Sequence, residues 1–327
     1  MKLLPKVAYS IDDVRSWSPK SAAVTLGVFD GVHLGHKRII KDLIESKKSG
    51  SIEEAYLITF DPHPLAITHS KMRPPTLSIL KERIRLLQQF ELDGILVLHF
   101  DHDLANVEYR TFIHRYLLQL FNMKRLVLGY DCYFGKNREG SPDRVKDESS
   151  RMGFECRIVP VVRNDSQAIS STKIRNALME GDVALANRLL GHPYLISGEV
   201  VRGHGMGGGL GFPTANLSLA DPYKLWPPVG VYAVEVQRGE QRLRGMMNVG
   251  RAPTMKSLAE DAKGIEVHLF DFDQDIYGEE LWVSCHTYLR EECKFPSAQA
   301  LVEQLELDRA RALEALARTS QKGPYGL

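Results

Sequence analysis

The chain has 327 residues, too many for one ordinary core and suited to two domains of unequal kind. Lysine and arginine number 42 against 41 aspartates and glutamates, a balance that disfavours a dedicated nucleic-acid or acidic-membrane binder. Met1 to Ser10 holds no long apolar core and no run approaches a membrane span, so neither a signal peptide nor a membrane helix is expected and the expected compartment is the cytoplasm.

In chain order, the first strong element is Ala22 to Leu26, a short apolar run of the kind found in a buried parallel strand, which stops at Gly27. Gly31 and Gly35 free the backbone for a turn, and from Lys37 to Lys48 the residues Ile39, Ile40, Leu43 and Ile44 recur with helical spacing. His33 and His36 therefore fall at a helix N-terminus, where unpaired N–H groups and a partial positive charge can hold phosphate. Spaced i, i+3, the two imidazoles can hydrogen-bond one polyphosphate. A surface pair, or histidines capping a turn, is the plainer reading. No GxxxxGK[ST] loop occurs here.

The same alternation then repeats, as expected of a doubly wound parallel sheet. Strands are predicted over Ala55–Phe60, Gly94–Leu98, Arg125–Leu128 and Cys156–Val162, and helices over Leu80–Phe90, Tyr109–Phe121 and Thr172–Met179. Ligands of such sheets bind beyond the carboxyl ends of the strands. There Asp61-Pro62-His63-Pro64 is a stiff exit that aims His63, and Gly129 to Gly135 is an aromatic loop that either stacks on a flat ring or joins the core. His99 to Asp103 alternates imidazole and carboxylate like metal ligands, but Asp103 or Asn106 serving as a helix cap is favoured. Ile169 to Arg175 sets hydroxyls ahead of Lys173 and Arg175, which can cap a helix or bind the β- and γ-phosphates of ATP. The four cysteines, Cys132, Cys156, Cys285 and Cys293, form no CxxC pair and read as free thiols. A zinc site from Cys285, His286 and Cys293 is disfavoured by its irregular spacing.

Asn176 to Leu190 is helical with a break at Gly181-Asp182, and the domain border is expected near Asn187. Beyond it come strands at Gly198–Arg202, Gly230–Gln237, Leu243–Val249, Ile265–Phe272 and Leu281–Leu289, then a helix at Ser297–Ala317, the pattern of a small antiparallel barrel. Gly203 to Gly208 satisfies GxGxxG, yet no helix follows, so a Rossmann NAD site is rejected; a glycine-rich flap over phosphates or a flexible loop remains. Pro213 extends the backbone so that Thr214 and Asn216 project to one face with oxygens that suit Mg²⁺. Alternation buries Ile265, Val267 and Leu269 and leaves Glu266 and His268 on the opposite face; if that face lines the barrel mouth, Glu266 can take the proton of an attacking hydroxyl.

The stretch Phe29 to His36, with its His33-Leu34-Gly35-His36, resembles the HxGH nucleotidyltransferases and more narrowly the bacterial bifunctional riboflavin kinase/FAD synthetase family. So do the TFxPHP sequence at Thr59–Pro64, the ISSTxIR motif at Ile169–Arg175, PTAN at Pro213–Asn216, the NxGxRPT segment at Asn248, Arg251, Pro253 and Thr254, and the LRxExKF ending at Leu289–Phe295. Cys132 stands where the family often has phenylalanine, and the arginine before proline is displaced to Arg251 by Ala252.

The resemblance implies an α/β chain: a doubly wound nucleotidyltransferase domain over 1–186 that turns FMN into FAD, and an antiparallel β-barrel with a terminal helix over 187–327 that phosphorylates riboflavin. Mg²⁺ and ATP would serve both. It implies that His33, His36 and Arg175 act on the ATP phosphates with Gly27, Phe29, Asp30, Gly35, Ser171, Thr172 and Lys173, and that His63, Pro64, Asp131 and Phe134 meet the flavin. In the barrel it implies Glu266 as base, Thr214 and Asn216 on the metal and ATP, Gly203 and Gly205 over the phosphates, and Arg290 toward the flavin. The rival expectation is an adenylyltransferase whose barrel only binds flavin; a nucleic-acid-binding barrel is disfavoured by the balanced charge.

Overall fold

The computed structural model describes residues 4–69, 73–164, 167–203, 211–219, 221–251 and 263–321. The chain divides into two compact units, 1–75 with 83–170 and 76–82 with 171–327.

The first unit is built on β1 (Lys6–Ala8), β2 (Ala22–Leu26), β3 (Glu54–Asp61), β4 (Gly94–His99), β5 (Met123–Gly129) and β6 (Glu155–Val159). They form one six-stranded sheet in the order β1-β4-β3-β2-β5-β6, with every pairing parallel. All five residues of β2 are buried, as their apolar run requires of a central strand. From β2 the chain moves outward one way through β3 and β4, then crosses back to lay β5 on the other side of β2. The switch point therefore lies between β2 and β5, and the loops leaving those two strands flank the crevice where ligands of open α/β sheets bind.

The helices are α1 (Ile11–Trp17), α2 (Leu34–Glu45), α3 (Pro64–Thr68), α4 (Leu80–Leu87), α5 (His102–Ala105), α6 (Tyr109–Phe112), α7 (Gln119–Phe121) and α8 (Pro142–Met152). A π-helical stretch, Ile113–Leu118, joins α6 to α7, so 109–121 is the single helical segment its spacing predicts. In α5, Asp101 is the cap and accepts the Leu104 N–H at 2.8 Å; this corrects the expectation of Asp103 or Asn106. A small hairpin, β7 (Arg163–Asn164) with β8 (Gln167–Ala168), ends the unit.

The second unit opens with α9 (Ser171–Met179) and α10 (Val183–Leu190), separated at Gly181-Asp182 as expected, with Asp182 capping α10. Asn187 sews α10 to the barrel: its Nδ2 donates to the carbonyls of Cys285 and His286 at 2.9 and 3.1 Å, and its Oδ1 accepts the Tyr194 N–H at 2.8 Å. The barrel closes through β9 (Tyr194–Val201), β10 (Ala215–Ser218), β11 (Gly230–Arg238), β12 (Gln241–Arg251), β13 (Lys263–Leu269) and β14 (Glu280–Arg290), in the order β10-β13-β12-β11-β14-β9. Tyr232, Val234, Met247, Val249, Ile265 and Val267 fill its interior. Alternate residues Val231, Ala233 and Met246 face outward and pack under Ala312 and Leu316 of α11 (Ala298–Gln321).

Residues 76–82 belong to this unit through a fully buried ion pair. Lys224 Nζ donates to Glu82 Oε2 at 2.6 Å and to the carbonyls of Leu77 and Leu195 at 2.7 and 2.6 Å, while Glu82 Oε1 accepts the Ser197 N–H at 2.8 Å. Each buried charge thus finds an opposite charge and hydrogen bonds, the condition for tolerating it in a dry interior.

Candidate active sites

The exit from β2 is a sharp turn. Phe29 and Val32 take left-handed backbone at φ 53° and 42° around Gly31 at φ 77°, a conformation that strains side-chain-bearing residues and persists where the surroundings enforce it. Phe29 is anchored in the core, and Asp30 is buried with it. The turn delivers His33 to the N-cap of α2, where its Nδ1 accepts the His36 N–H at 3.3 Å. With Nδ1 accepting, the His33 ring is held in a fixed orientation at the start of α2. The rings of His33 and His36 stack with centroids 3.6 Å apart. A Cβ at Gly35 would lie 3.0 Å from His33 Cε1, which is why glycine occupies that position. Burial, then His33 and Arg83, push the His36 imidazole well below the usual histidine range, and its buried Nδ1 has no hydrogen-bond partner among the described residues. Lys37 follows, its ammonium pushed down to about 8 by burial.

Arg83, absent from the sequence reading, braces this turn. Buried, it donates from Nη1 to the Val28 carbonyl at 2.9 Å and from Nη2 to the Phe60 carbonyl at 3.0 Å, and it lies 3.7 Å from the Asp61 carboxylate. Thr59 Oγ1 donates to the same Val28 carbonyl at 3.0 Å. The exits of β2 and β3 are tied together in this way. After β3 the Asp61-Pro62 peptide is cis, and His63 caps α3, its Nδ1 accepting the Leu65 N–H at 3.1 Å with Pro64 in the first turn.

The exit from β5 joins them from the other side of the switch point. Cys132 Sγ donates to the Leu26 carbonyl at 3.4 Å, and burial pushes this thiol up to about 12. Asp131 beside it is exposed. Phe134 packs into the core against Phe112, centroids 5.6 Å apart, while Tyr130 and Tyr133 present the loop's exposed rings. The structure therefore gathers Gly27, Phe29, Asp30, His33, Gly35, His36, His63, Pro64 and Asp131 at one end of the parallel sheet. Ser171, Thr172, Lys173 and Arg175 open α9 in the second unit, with Arg175 buried and Thr172 exposed. Ile169, two residues before Ser171, sets its carbonyl 3.9 Å from a Cβ built at Gly35.

In the barrel, Glu266 stands on β13 directly between Asn216 of β10 and Asn248 of β12. Residues paired across a ladder share a face, and Asn248 shares its face with Met246, so this row lies on the outer wall that α11 covers further along. Glu266 and His268 thus share the face opposite the buried Ile265 and Val267, as the alternation predicts. Glu266 is exposed, whereas His268 on the same face is buried and donates from Nδ1 to the Pro213 carbonyl at 2.8 Å. Burial holds the His268 imidazole below its ordinary range. Gly203 abuts the Asn216 amide so closely that a side chain there would displace it; Gly205, Ala252, Pro253 and Thr254 lie outside the described residues.

One further group stands beside this row. A Cβ at Gly250 would lie 2.8 Å from Glu292 Oε1 and 3.1 Å from Asn248 Nδ2, which puts the Glu292 carboxylate beside Asn248, a neighbour that sequence reading did not single out. Asn248 Oδ1 is buried without a hydrogen-bond partner among the described residues. Arg290 is engaged elsewhere: its Nε and Nη2 hold the buried Asp308 carboxylate of α11 at 2.8 and 2.7 Å. Among the described residues no three histidine, cysteine, aspartate or glutamate side chains gather to hold a metal ion. The oxygens of Thr214, Asn216 and Glu266 suit a hard cation that keeps waters and takes its other ligands from phosphate, the habit of Mg²⁺.

Residues 15–173 match the family model described as FAD synthetase, and residues 190–316 match the one described as riboflavin kinase. The chain is 35% identical over 294 residues to the bifunctional riboflavin kinase/FMN adenylyltransferase of Bacillus subtilis (strain 168), covering 89% of this chain and 92% of that protein. It is 38% identical over 294 residues to the protein of the same name from Haemophilus influenzae, covering 88% and 92%. With that of Escherichia coli (strain K12) the identity is 34% over 310 residues, covering 94% and 97%. A crystal structure from Streptococcus pneumoniae, described as a macrolide-efflux protein, superposes with a TM-score of 0.81 at 31% identity, covering 94% of this chain and 98% of that one. Among the described residues no helix is long and apolar enough to cross a membrane.

Proposed function

The chain belongs to the family of bifunctional riboflavin kinase/FMN adenylyltransferases, and from that premise we propose how its residues divide the two reactions. It is an enzyme with both activities: riboflavin is phosphorylated to FMN, and FMN is adenylylated to FAD with release of pyrophosphate. We assign FAD synthesis to 1–186 and riboflavin phosphorylation to 187–327, a division supported by the bounds of the two family matches. Its partners are riboflavin, FMN, FAD and ATP rather than nucleic acid, and its compartment is the cytoplasm. The balanced charge and four free thiols support both statements.

In adenylyl transfer a phosphate oxygen of FMN attacks the α-phosphorus of ATP in line, and the bond to pyrophosphate breaks. No covalent enzyme intermediate is needed, so positioning and charge neutralisation carry the rate. The N-terminus of α2 and the His33 imidazole set at its cap address the phosphates, with His36 stacked behind. Gly27, Phe29, Asp30 and Gly35 shape the turn; Ser171 and Thr172 would hydrogen-bond the departing pyrophosphate and Lys173 and Arg175 neutralise its charge. His63, Pro64 and Asp131 border the flavin, and Phe134, packed on Phe112, supports that loop from behind.

In phosphorylation Glu266 accepts the proton of the ribityl hydroxyl as its oxygen attacks the γ-phosphorus and ADP departs. Thr214 and Asn216 would hold Mg²⁺, which when bound neutralises charge on the ATP phosphates. We assign Gly203 and Gly205 to those phosphates, Gly205 lying outside the described residues, and Arg290, held by Asp308, to the flavin side after β14. The observation that carries the kinase reading over a barrel that merely binds flavin is Glu266 set in register between two asparagines.

The test is incubation with riboflavin, Mg²⁺ and ATP, followed by chromatography of the flavins. FMN and FAD together are expected. FAD only from added FMN would favour the flavin-binding barrel, and oligonucleotide binding with no flavin conversion would favour the nucleic-acid module.

A further inference from the structure

Thr214 needs a fixed position if it is to share a ligand with Asn216, yet the strand ladder does not reach it. Pairing between β10 and β13 runs Leu217 to Ile265, Asn216 to Glu266 and Ala215 to Val267, and then ends. One step further would set Thr214 opposite His268. The ladder stops because Pro213 carries no N–H and cannot continue a pairing. Its carbonyl is left needing a donor, and the His268 ring supplies one, Nδ1 donating at 2.8 Å. That ring is only 9% exposed and lies beside Phe212 and Phe270, with centroids 5.1 and 5.7 Å away, so its direction is set by packing. A side chain thus replaces the missing backbone bond, two residues along β13 from Glu266 and on the same face.

We propose that His268 is a positioning residue for riboflavin phosphorylation: by holding the Pro213 carbonyl it fixes Thr214 in line with Asn216, so that both oxygens address the same cation and phosphate beside Glu266. The inference rests on the kinase reading of this site. It places no atom of His268 on the substrate; the imidazole acts through the backbone of Pro213 and the hydroxyl of the next residue.

The experiment is a double-mutant cycle on the full chain, with FMN adenylylation as the internal control. His268→Leu should raise the KM for Mg–ATP in riboflavin phosphorylation about tenfold, as expected when a binding oxygen is displaced by a fraction of an ångström. FAD formation from FMN should be unchanged. His268→Asn, whose Nδ2 replaces the lost donor, should recover most of the affinity. Thr214→Val should raise the same KM, and His268→Leu combined with Thr214→Val should be no worse than Thr214→Val alone, because both remove one function. Additive losses, a wild-type KM for His268→Leu, or no recovery by His268→Asn would overturn the proposal. Wild-type kinetics for Thr214→Val would instead overturn the reading of the kinase site on which it stands. Should the leucine variant fail to fold, ¹⁵N NMR of the unaltered protein decides: His268 must be the Nδ1–H tautomer, and an Nε2–H tautomer refutes the bond.

Discussion

The imidazoles of His33 and His36 lie face to face, centroids 3.6 Å apart and planes 15° from parallel. Two cations cannot occupy that geometry without strong repulsion, and His36 is held neutral by burial before the influence of His33 is added. The unfolded chain takes up this proton near the ordinary histidine value of 6.5, the folded chain only at lower pH. Between those values the unfolded state binds more protons, so this contribution to stability is full above pH 6.5 and is lost as the pH falls below it. Thermal melts at descending pH should show Tm falling below that point, with a shallower fall in His36→Gln. His36→Ala should also slow FAD formation while sparing FMN formation.

Glu266→Gln keeps the size and hydrogen-bonding capacity of the side chain but removes its basicity. Riboflavin phosphorylation should fall by roughly 10²–10⁴-fold, the usual worth of a general base. FAD formation from supplied FMN should continue at the wild-type rate, as measured by separating the flavins from parallel reactions. Loss of both activities would defeat the division of labour.

Arg83→Leu leaves the Val28 and Phe60 carbonyls without their charged donor in a buried setting. Chemical denaturation should register a loss of about 2–4 kcal/mol, the scale for breaking buried, charge-assisted hydrogen bonds. Adenylyl transfer should weaken more than phosphorylation, since the Val28 carbonyl lies just beyond β2 and the Phe60 carbonyl at the carboxyl end of β3. Arg83→Lys should rescue only in part, because an ammonium lacks the fork that reaches two acceptors at once.

Lys224→Met strands the Glu82 carboxylate inside the second unit. A loss of about 3–5 kcal/mol is expected from removing one partner of a buried pair. Replacing both, as Lys224→Met with Glu82→Leu, should cost less than the sum of the single changes in denaturant titrations.

Much of the architecture follows from local pattern. β2 is buried at every position, and apolar at all but Thr25, because it is central in a parallel sheet, and the barrel strands alternate because one face of each fills the interior. The histidine pair was legible because N-cap, glycine and helix follow one another in sequence. Other features were not. α8 has a thin apolar stripe with Val145 as its main buried anchor, so its helicity rests on the Ser141 cap, Pro142 and Gly153 rather than on periodicity. Arg83 sits in an amphipathic helix where a charge ordinarily marks the solvent side, and only distant carbonyls explain its burial. Aromatic character left Phe134 open between ligand and core; the contact with Phe112 assigns it to the core. Arg290 and Asp308 meet only once α11 folds back over β14, which motif spacing does not encode.

Residues 76–82 complete the second unit although stretches of the first lie on both sides of them in the chain. No single scission can therefore release both halves intact. A gene split or protease nick between 170 and 171 would yield a barrel fragment whose Lys224 has lost the carboxylate 142 positions upstream. On the ribosome the same arrangement obliges that early glutamate to emerge long before its cation is synthesised, so maturation of the later half must reach back to a piece already made.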